Sequence, residues 1–248
     1  MPTLASLKKC YHLDYLLPLC GLGLIWWYFD PVFQAGPHAI PSSFLDGWIF
    51  VWDAWWLSRS LFGGGIYHTQ ELFHPAGTSL YLHTLCEGLL VPLVLALKDV
   101  NFPRVLQCAC LIAFELNFLS AFALFRHYSG KACLAFFLSI VFAFHPYFLA
   151  HLNGGHLNLL CFFPVVICVF AFLKCLDANQ VRYLPQIVAG LSIGYCTYLC
   201  LYYVYFACLA LGLLTLGALV SRKVKIFCAL KRVWLVGLIA LLVSLPKL

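Results

Sequence analysis

The sequence predicts an all-α protein, a polytopic membrane helix bundle of about seven spans. It also predicts amphipathic helices in a long first outer loop and a re-entrant or interfacial helix. Three observations predict this class. The 248 residues are 64% hydrophobic and only 10% charged, whereas soluble domains run about 45–50% apolar and about 25% charged. Apolar runs of span length recur along the whole chain, each near the roughly 20 residues a helix needs to cross a bilayer. The basic residues sit between those runs, where they set topology rather than form a nucleic-acid footprint.

The spans fall, in order, at 15–33, 104–125, 132–150, 157–173, 184–200, 203–220 and 233–248. Lys8 and Lys9 precede the first run, but Asp30-Pro31 follows it where a cleaved signal would end in small residues, so an uncleaved first span is expected. The last run has 16 residues and rises about 24 Å. It meets Pro246-Lys247-Leu248 without a polar exit, and the expectation is that more protein follows. The reading is one transmembrane domain over 1–248, with an outer-face loop over 34–103.

The run 85–97 has 13 residues and carries Glu87, Gly88 and Pro92. Runs of about 10–14 are more often interfacial or re-entrant than spanning. If it does not cross, 11 of the 15 basic residues (Lys8, Lys9, Arg126, Lys131, Lys174, Arg182, Arg222, Lys223, Lys225, Lys231, Arg232) share one side. The positive-inside rule then makes that side cytoplasmic, with the N-terminus. Six of nine acids (Asp30, Asp46, Asp53, Glu71, Glu87, Asp99) fall on the opposite, outer face. A multi-pass plasma (inner) membrane protein is expected. The 13 cysteines lie mostly in apolar runs and form no CxxC pair, so they read as small hydrophobes.

Chemistry concentrates between Gln34 and Thr84. Ser42 or Ser43 is a candidate N-cap, and Leu45, Trp48, Ile49, Trp52, Trp55 and Trp56 recur at helical spacing, as in a helix lying at headgroup level. Asp46 and Asp53 are seven apart and share a face; two turns put about 10 Å between them, too far for a shared-proton dyad. Asp46, beside Gly47 at the helix start, is the better lone candidate, although both acids also fit a solvated surface. Pro75 and Gly77 mark a turn, after which His83 and Glu87, four residues apart, could meet across one helical turn.

A third group joins His145, His151, His156, Asn153 and Asn158 around Gly154-Gly155. Spacing fixes no third zinc ligand, and an anionic partner at a helix N-terminus fits better. Glu115 stands alone inside a span, as a buried hydrogen-bonding group or a functional one.

The order of these pieces resembles the GT-C superfamily of membrane glycosyltransferases, in particular the bacterial multi-pass type. The matching residues are Leu45-Asp46 with Trp48 and Trp52, Phe73-His74-Pro75-Ala76-Gly77, Leu80, His83-Thr84 and the run from Gly88 to Pro92-Leu93. They continue with Phe142-Ala143-Phe144-His145-Pro146-Tyr147, Ala150-His151 and Gly155-His156-Leu157-Asn158. The resemblance implies transfer of a hexose or pentose from a polyprenyl-phosphate-linked donor to a glycan, lipid or protein hydroxyl at the outer face. It implies Asp46 as the catalytic base. His83, His151, His156 and Arg104 are candidate donors to the leaving phosphate, and Asp53, Glu87 and Asn158 further substrate-binding residues. The sequence departs from the family pattern in having Leu45 where Gly is usual and His145 where Ser is usual, and the paired acids that would hold a divalent metal are missing. No metal or other cofactor is therefore expected, and the partners are the lipid-linked donor, membrane lipids and the acceptor, not nucleic acid. The rival readings are a transporter or lipid flippase using Glu115 and the histidines, and a non-catalytic truncated membrane subunit. Neither inverted repeats nor interrupted helices stand out in the sequence.

Overall fold

The structure, a computed structural model, describes residues 4–63, 65–81, 83–97, 101–177 and 183–247. Asp99 and Arg182, which entered the charge count, lie outside the described residues. The element order is α1 (Leu4–Gln34), α2 (Asp46–Ser60), β1 (His68–Thr69), β2 (Thr78–Ser79), α3 (Glu87–Ala96), α4 (Phe102–Ser129), α5 (Ala132–Ala143), α6 (Pro146–Gly154), α7 (Leu157–Leu160), α8 (Phe163–Asp177), α9 (Tyr183–Cys196), α10 (Leu201–Val220) and α11 (Ile226–Ser244). A 3-10 turn, Leu245–Lys247, follows. This is an all-α polytopic bundle. Among the described residues six helical stretches are long and apolar enough to cross a membrane: His12–Gln34, Phe102–Ser129, Ala132–Gly154, Leu157–Leu176, Leu201–Val220 and Ile226–Lys247.

Two expectations change here. The run expected to span at 184–200 forms only α9, whose 14 residues rise about 21 Å. Two consecutive spans are interrupted, contrary to the sequence reading. Ala132–Gly154 breaks at Phe144-His145 before Pro146, and Leu157–Leu176 breaks at Cys161-Phe162 before Pro164. Proline has no N–H to donate and its ring disfavours helix at the preceding residue. Freed backbone groups in a membrane helix need new partners: Asn117, fully buried on α4, donates from Nδ2 to Leu160 O at 2.7 Å. The short α3, with Pro92 inside it, matches the expected non-spanning run.

Contacts divide the chain into two compact units, Met1–Ile49 with Val100–Phe163, and Phe50–Asp99 with Pro164–Leu248. In the first, α1 and α4 are tied at both ends. Arg126 grips the Asp14 carboxylate through Nε and Nη2, the second bond at 3.0 Å. Buried Gln107 donates to Gly36 O and Ala39 O at 3.0 and 2.6 Å, fixing the turn after α1. In the second unit, Cys168, Phe172, Ile193, Ala207, Leu211 and Val236 form the core of the helices. There Gly190 and Gly194 let α11 approach α9: a β-carbon on Gly194 would stand 2.5 Å from Val243 Cβ. This is the small-xxx-small packing of membrane helices.

Candidate functional site

The first unit carries one chain of polar contacts. α2 starts at Asp46, and neither Ser42 nor Ser43 caps it as expected. Instead Ser42 Oγ accepts the Phe44 N–H at 3.1 Å. Ser43 donates from its backbone N–H to Asn153 O at 3.1 Å and from Oγ to Asn153 Oδ1 at 2.6 Å. These serines hold the entry to α2 against the end of α6. That end is built by local chemistry. His145 caps α6, its Nδ1 accepting from the Tyr147 N–H at 3.2 Å, with Pro146 at the first helical position, where a missing N–H costs nothing. Gly155 closes the helix at φ 79°, a conformation that favours glycine.

Beyond that turn, His156 Nε2–H donates to Asp46 Oδ2 at 2.9 Å. His156 Nδ1 lies 3.0 Å from His151 Nδ1. A carboxylate only accepts, so Nε2 carries the proton, and with a neutral His156 the bond to His151 is donated by His151. The Asp46 side chain is 52% exposed, and its Oδ1 has no partner among the described residues. The arrangement is an accessible carboxylate backed by two imidazoles in series, able to take a proton at Oδ1 while the His156 N–H holds Oδ2. Tyr147 packs edge-on against His151, ring centroids 4.4 Å apart. Phe44, Leu45, Trp48 and Ile49 are exposed around the start of α2, an apolar patch of the kind that meets lipid or a partner. Asn158 is half-buried. Arg104 is turned to structure: its guanidinium donates to Phe33 O at 3.4–3.5 Å and lies 5.1 Å over the Phe33 ring, so it covers a last-turn carbonyl of α1.

The second unit holds a separate, buried set. Asp53 is fully buried, not a solvated acid, and accepts from His83 Nε2–H at 2.9 Å. Burial pushes its carboxyl up to about 6, against the opposing pull of His83. The bond to Asp53 raises His83 above its usual value. The expected His83–Glu87 pairing does not form, because α3 begins only at Glu87. Glu87 instead meets Lys247, and Tyr67 donates to its Oε1 at 3.2 Å. Lys247 also lies about 6 Å over the Tyr67 and Tyr198 rings. Burial and Glu87 raise the Tyr67 hydroxyl. Among the described residues, Asp53 Oδ2 and Glu87 Oε2 are buried without a bond. Sequence reasoning missed Lys247, Tyr67 and Asn117, and it missed the tie between Asn153 and Ser43. The three partners furthest from what they hold are 160, 110 and 43 residues away, beyond any local pattern.

Among the described residues no group of three or more His, Cys, Asp or Glu is placed to hold a metal ion together. Compared with protein-family models, curated proteins and solved structures, the chain matches none.

Proposed function

We propose that this protein is a membrane glycosyltransferase that moves a sugar from a polyprenyl-phosphate donor to an acceptor hydroxyl at the outer face of the plasma membrane. The observation that carries the reading is the half-exposed Asp46 carboxylate bonded through His156 to His151. The motif order seen in the sequence supports it. The acceptor oxygen attacks the anomeric carbon, the bond from that carbon to the phosphate oxygen breaks, and the lipid phosphate leaves with the electron pair. The hydroxyl proton passes to Asp46 Oδ1. His156 holds Oδ2 and so orients the carboxylate, and the leaving phosphate needs hydrogen-bond donors as its charge develops. One displacement inverts the anomeric carbon.

Transfer of radiolabelled sugar from a polyprenyl-phosphate donor tests the reading directly. Asp46→Asn should abolish transfer while the protein still folds; a fully active variant would sink the assignment.

The two interrupted spans favour a second reading, because transporters place substrate where helices are broken. Glu115, half-buried in α4, would then be a pathway acid. Proteoliposomes separate the two: a transporter accumulates solute without forming a glycosidic bond, and Glu115→Gln rather than Asp46→Asn stops it.

A further inference from the structure

In the second unit, the end of α2 and the segment running into and out of β1 line an open concavity of about 260 Å³. Its walls are pinned. Trp56 Nε1–H donates to Ile66 O at 2.9 Å, Ser60 Oγ donates to Trp56 O at 2.8 Å, and the Leu80 N–H donates to Tyr67 O at 2.8 Å. Gly77 completes the hairpin at φ 73°, where a β-carbon would stand 2.6 Å from Thr69 O and 3.0 Å from His68 Nε2. The Arg59 guanidinium rests 5.0 Å over the Trp55 ring.

Three ionisable residues, Arg59, His68 and Glu71, line this fixed frame. Among the described residues none of the three makes a side-chain hydrogen bond or ion pair. Each asks for a different partner. The guanidinium fork matches a carboxylate or phosphate in two parallel bonds, and His68 adds a donor. Glu71 only accepts when ionised, so it suits hydroxyls. Trp56 supplies an amphipathic wall, and Gly63 and Gly65 leave the rim free of side chains. Sites for drug-sized ligands run about 300–1,000 Å³, so this one holds a single ring rather than a chain.

We propose that this concavity is a binding site for one pyranose carrying an anionic group, a sugar phosphate or a uronate. The proposal does not rest on the catalytic role of Asp46. The anion is held by Arg59 and His68, and the ring hydroxyls by Glu71.

The test is calorimetric titration of the full chain in polyoxyethylene-ether micelles, which contain neither sugar nor phosphate. The probes are glucose 6-phosphate, glucuronate, glucose and inorganic phosphate. The two anionic sugars should bind at least about tenfold more tightly than glucose, and glucose 6-phosphate more tightly than inorganic phosphate. Arg59→Ala should remove the advantage of the anion. Arg59→Lys, which keeps the charge and loses the fork, should retain part of it. Glu71→Gln should weaken glucose 6-phosphate and leave inorganic phosphate unchanged. All three heads are exposed, so the variants keep the fold. Glucose binding as tightly as its phosphate, inorganic phosphate matching the sugar phosphate, or an Arg59→Ala protein that binds normally would each overturn the proposal. Asp46→Asn should bind these probes like the parent even where it transfers nothing, which separates this site's failure from that of the transfer reaction.

Discussion

A β-carbon on Gly155 would stand 2.3 Å from the backbone nitrogen of Gly47. The two glycines let the end of α6 touch the start of α2, and that approach brings His156 Nε2 to 2.9 Å from Asp46. Gly155 is also at φ 79°, so a side chain there meets both a clash and a strained backbone. Gly155→Ala should destabilise the protein by about 1–3 kcal/mol and uncouple His156 from Asp46. Thermal unfolding in micelles reads the first effect. A sugar-transfer rate that falls as far as in a His156 variant reads the second.

The pair itself makes a graded prediction. Removing a general base is expected to slow proton transfer by about 10²–10⁴-fold, so Asp46→Asn should be nearly inactive. His156 acts on Asp46 rather than on the substrate, so His156→Ala should lower the rate less than Asp46→Asn and also change its pH profile. His156→Gln keeps an N–H donor and should recover part of the loss. Equal inactivation by both His156 variants with an unmoved pH profile would make His156 a structural residue.

Six of the seven expected spans and the non-spanning α3 were legible because composition and length decide them, with Gly88 and Pro92 shortening the α3 run; the expected span at 184–200 gave only the 14 residues of α9. The breaks at Phe144-His145 and Cys161-Phe162 were also written in the chain, in Pro146 and Pro164, but Asn117, which donates to the freed Leu160 carbonyl, is 43 residues from it. Asp46 was identifiable only by its place beside Gly47 and by motif order. Its partner His156 is 110 residues away, and no periodicity spans that distance. The glycines at 190 and 194 carried a readable four-residue spacing whose partner, α11, became evident only in the packing. His83 failed as a partner of Glu87 because the turn at Leu85-Cys86, with Cys86 at φ 50°, ends before the helix starts.

Stability should fall as pH rises through the range of the Asp53–His83 pair. Asp53 has a folded value of about 6 against about 3.9 unfolded. The folded state therefore holds the extra proton between those values, and its contribution is present below about 3.9 and lost as pH rises towards 6. His83 is raised by Asp53, so its contribution is present below about 6.5 and lost as pH rises through its folded value. Both slopes have the same sign. The unfolding midpoint, followed from pH 4 to 8, should decline, and Asp53→Asn should flatten the acid part of that decline. A midpoint rising over pH 4–6 in the parent would contradict the burial of Asp53.

Close packing of α9 on α11 leaves no room for a methyl group. At Gly194 the added carbon would stand 2.5 Å from Val243 Cβ, and at Gly190 2.7 Å from Ile239 Cβ. Overpacking of this kind costs about 1–3 kcal/mol. Gly194→Ala should lower resistance to denaturing detergent, and Val243→Ala added to it should restore part of the loss. Additive losses in the double variant would mean that the two positions do not touch.

Glu87 and Lys247 make the sharpest prediction, because both side chains are about 95% buried and lie 160 residues apart. Removing one partner of a buried ion pair strands a charge and costs about 3–5 kcal/mol, whereas replacing both by neutral groups of similar size is close to neutral. Lys247→Met alone should therefore destabilise the protein strongly, since among the described residues Glu87 then keeps one bond, from Tyr67 at 3.2 Å. Glu87→Gln alone leaves the Lys247 ammonium over the Tyr67 and Tyr198 rings, which recovers part of its lost attraction, so this single variant should be the milder one. The double variant Glu87→Gln with Lys247→Met should be more stable than Lys247→Met alone, because no charge is then left buried. Denaturant titration of the four proteins gives the coupling between the residues, and a coupling near zero would show that the bond does not hold the 3-10 turn to α3.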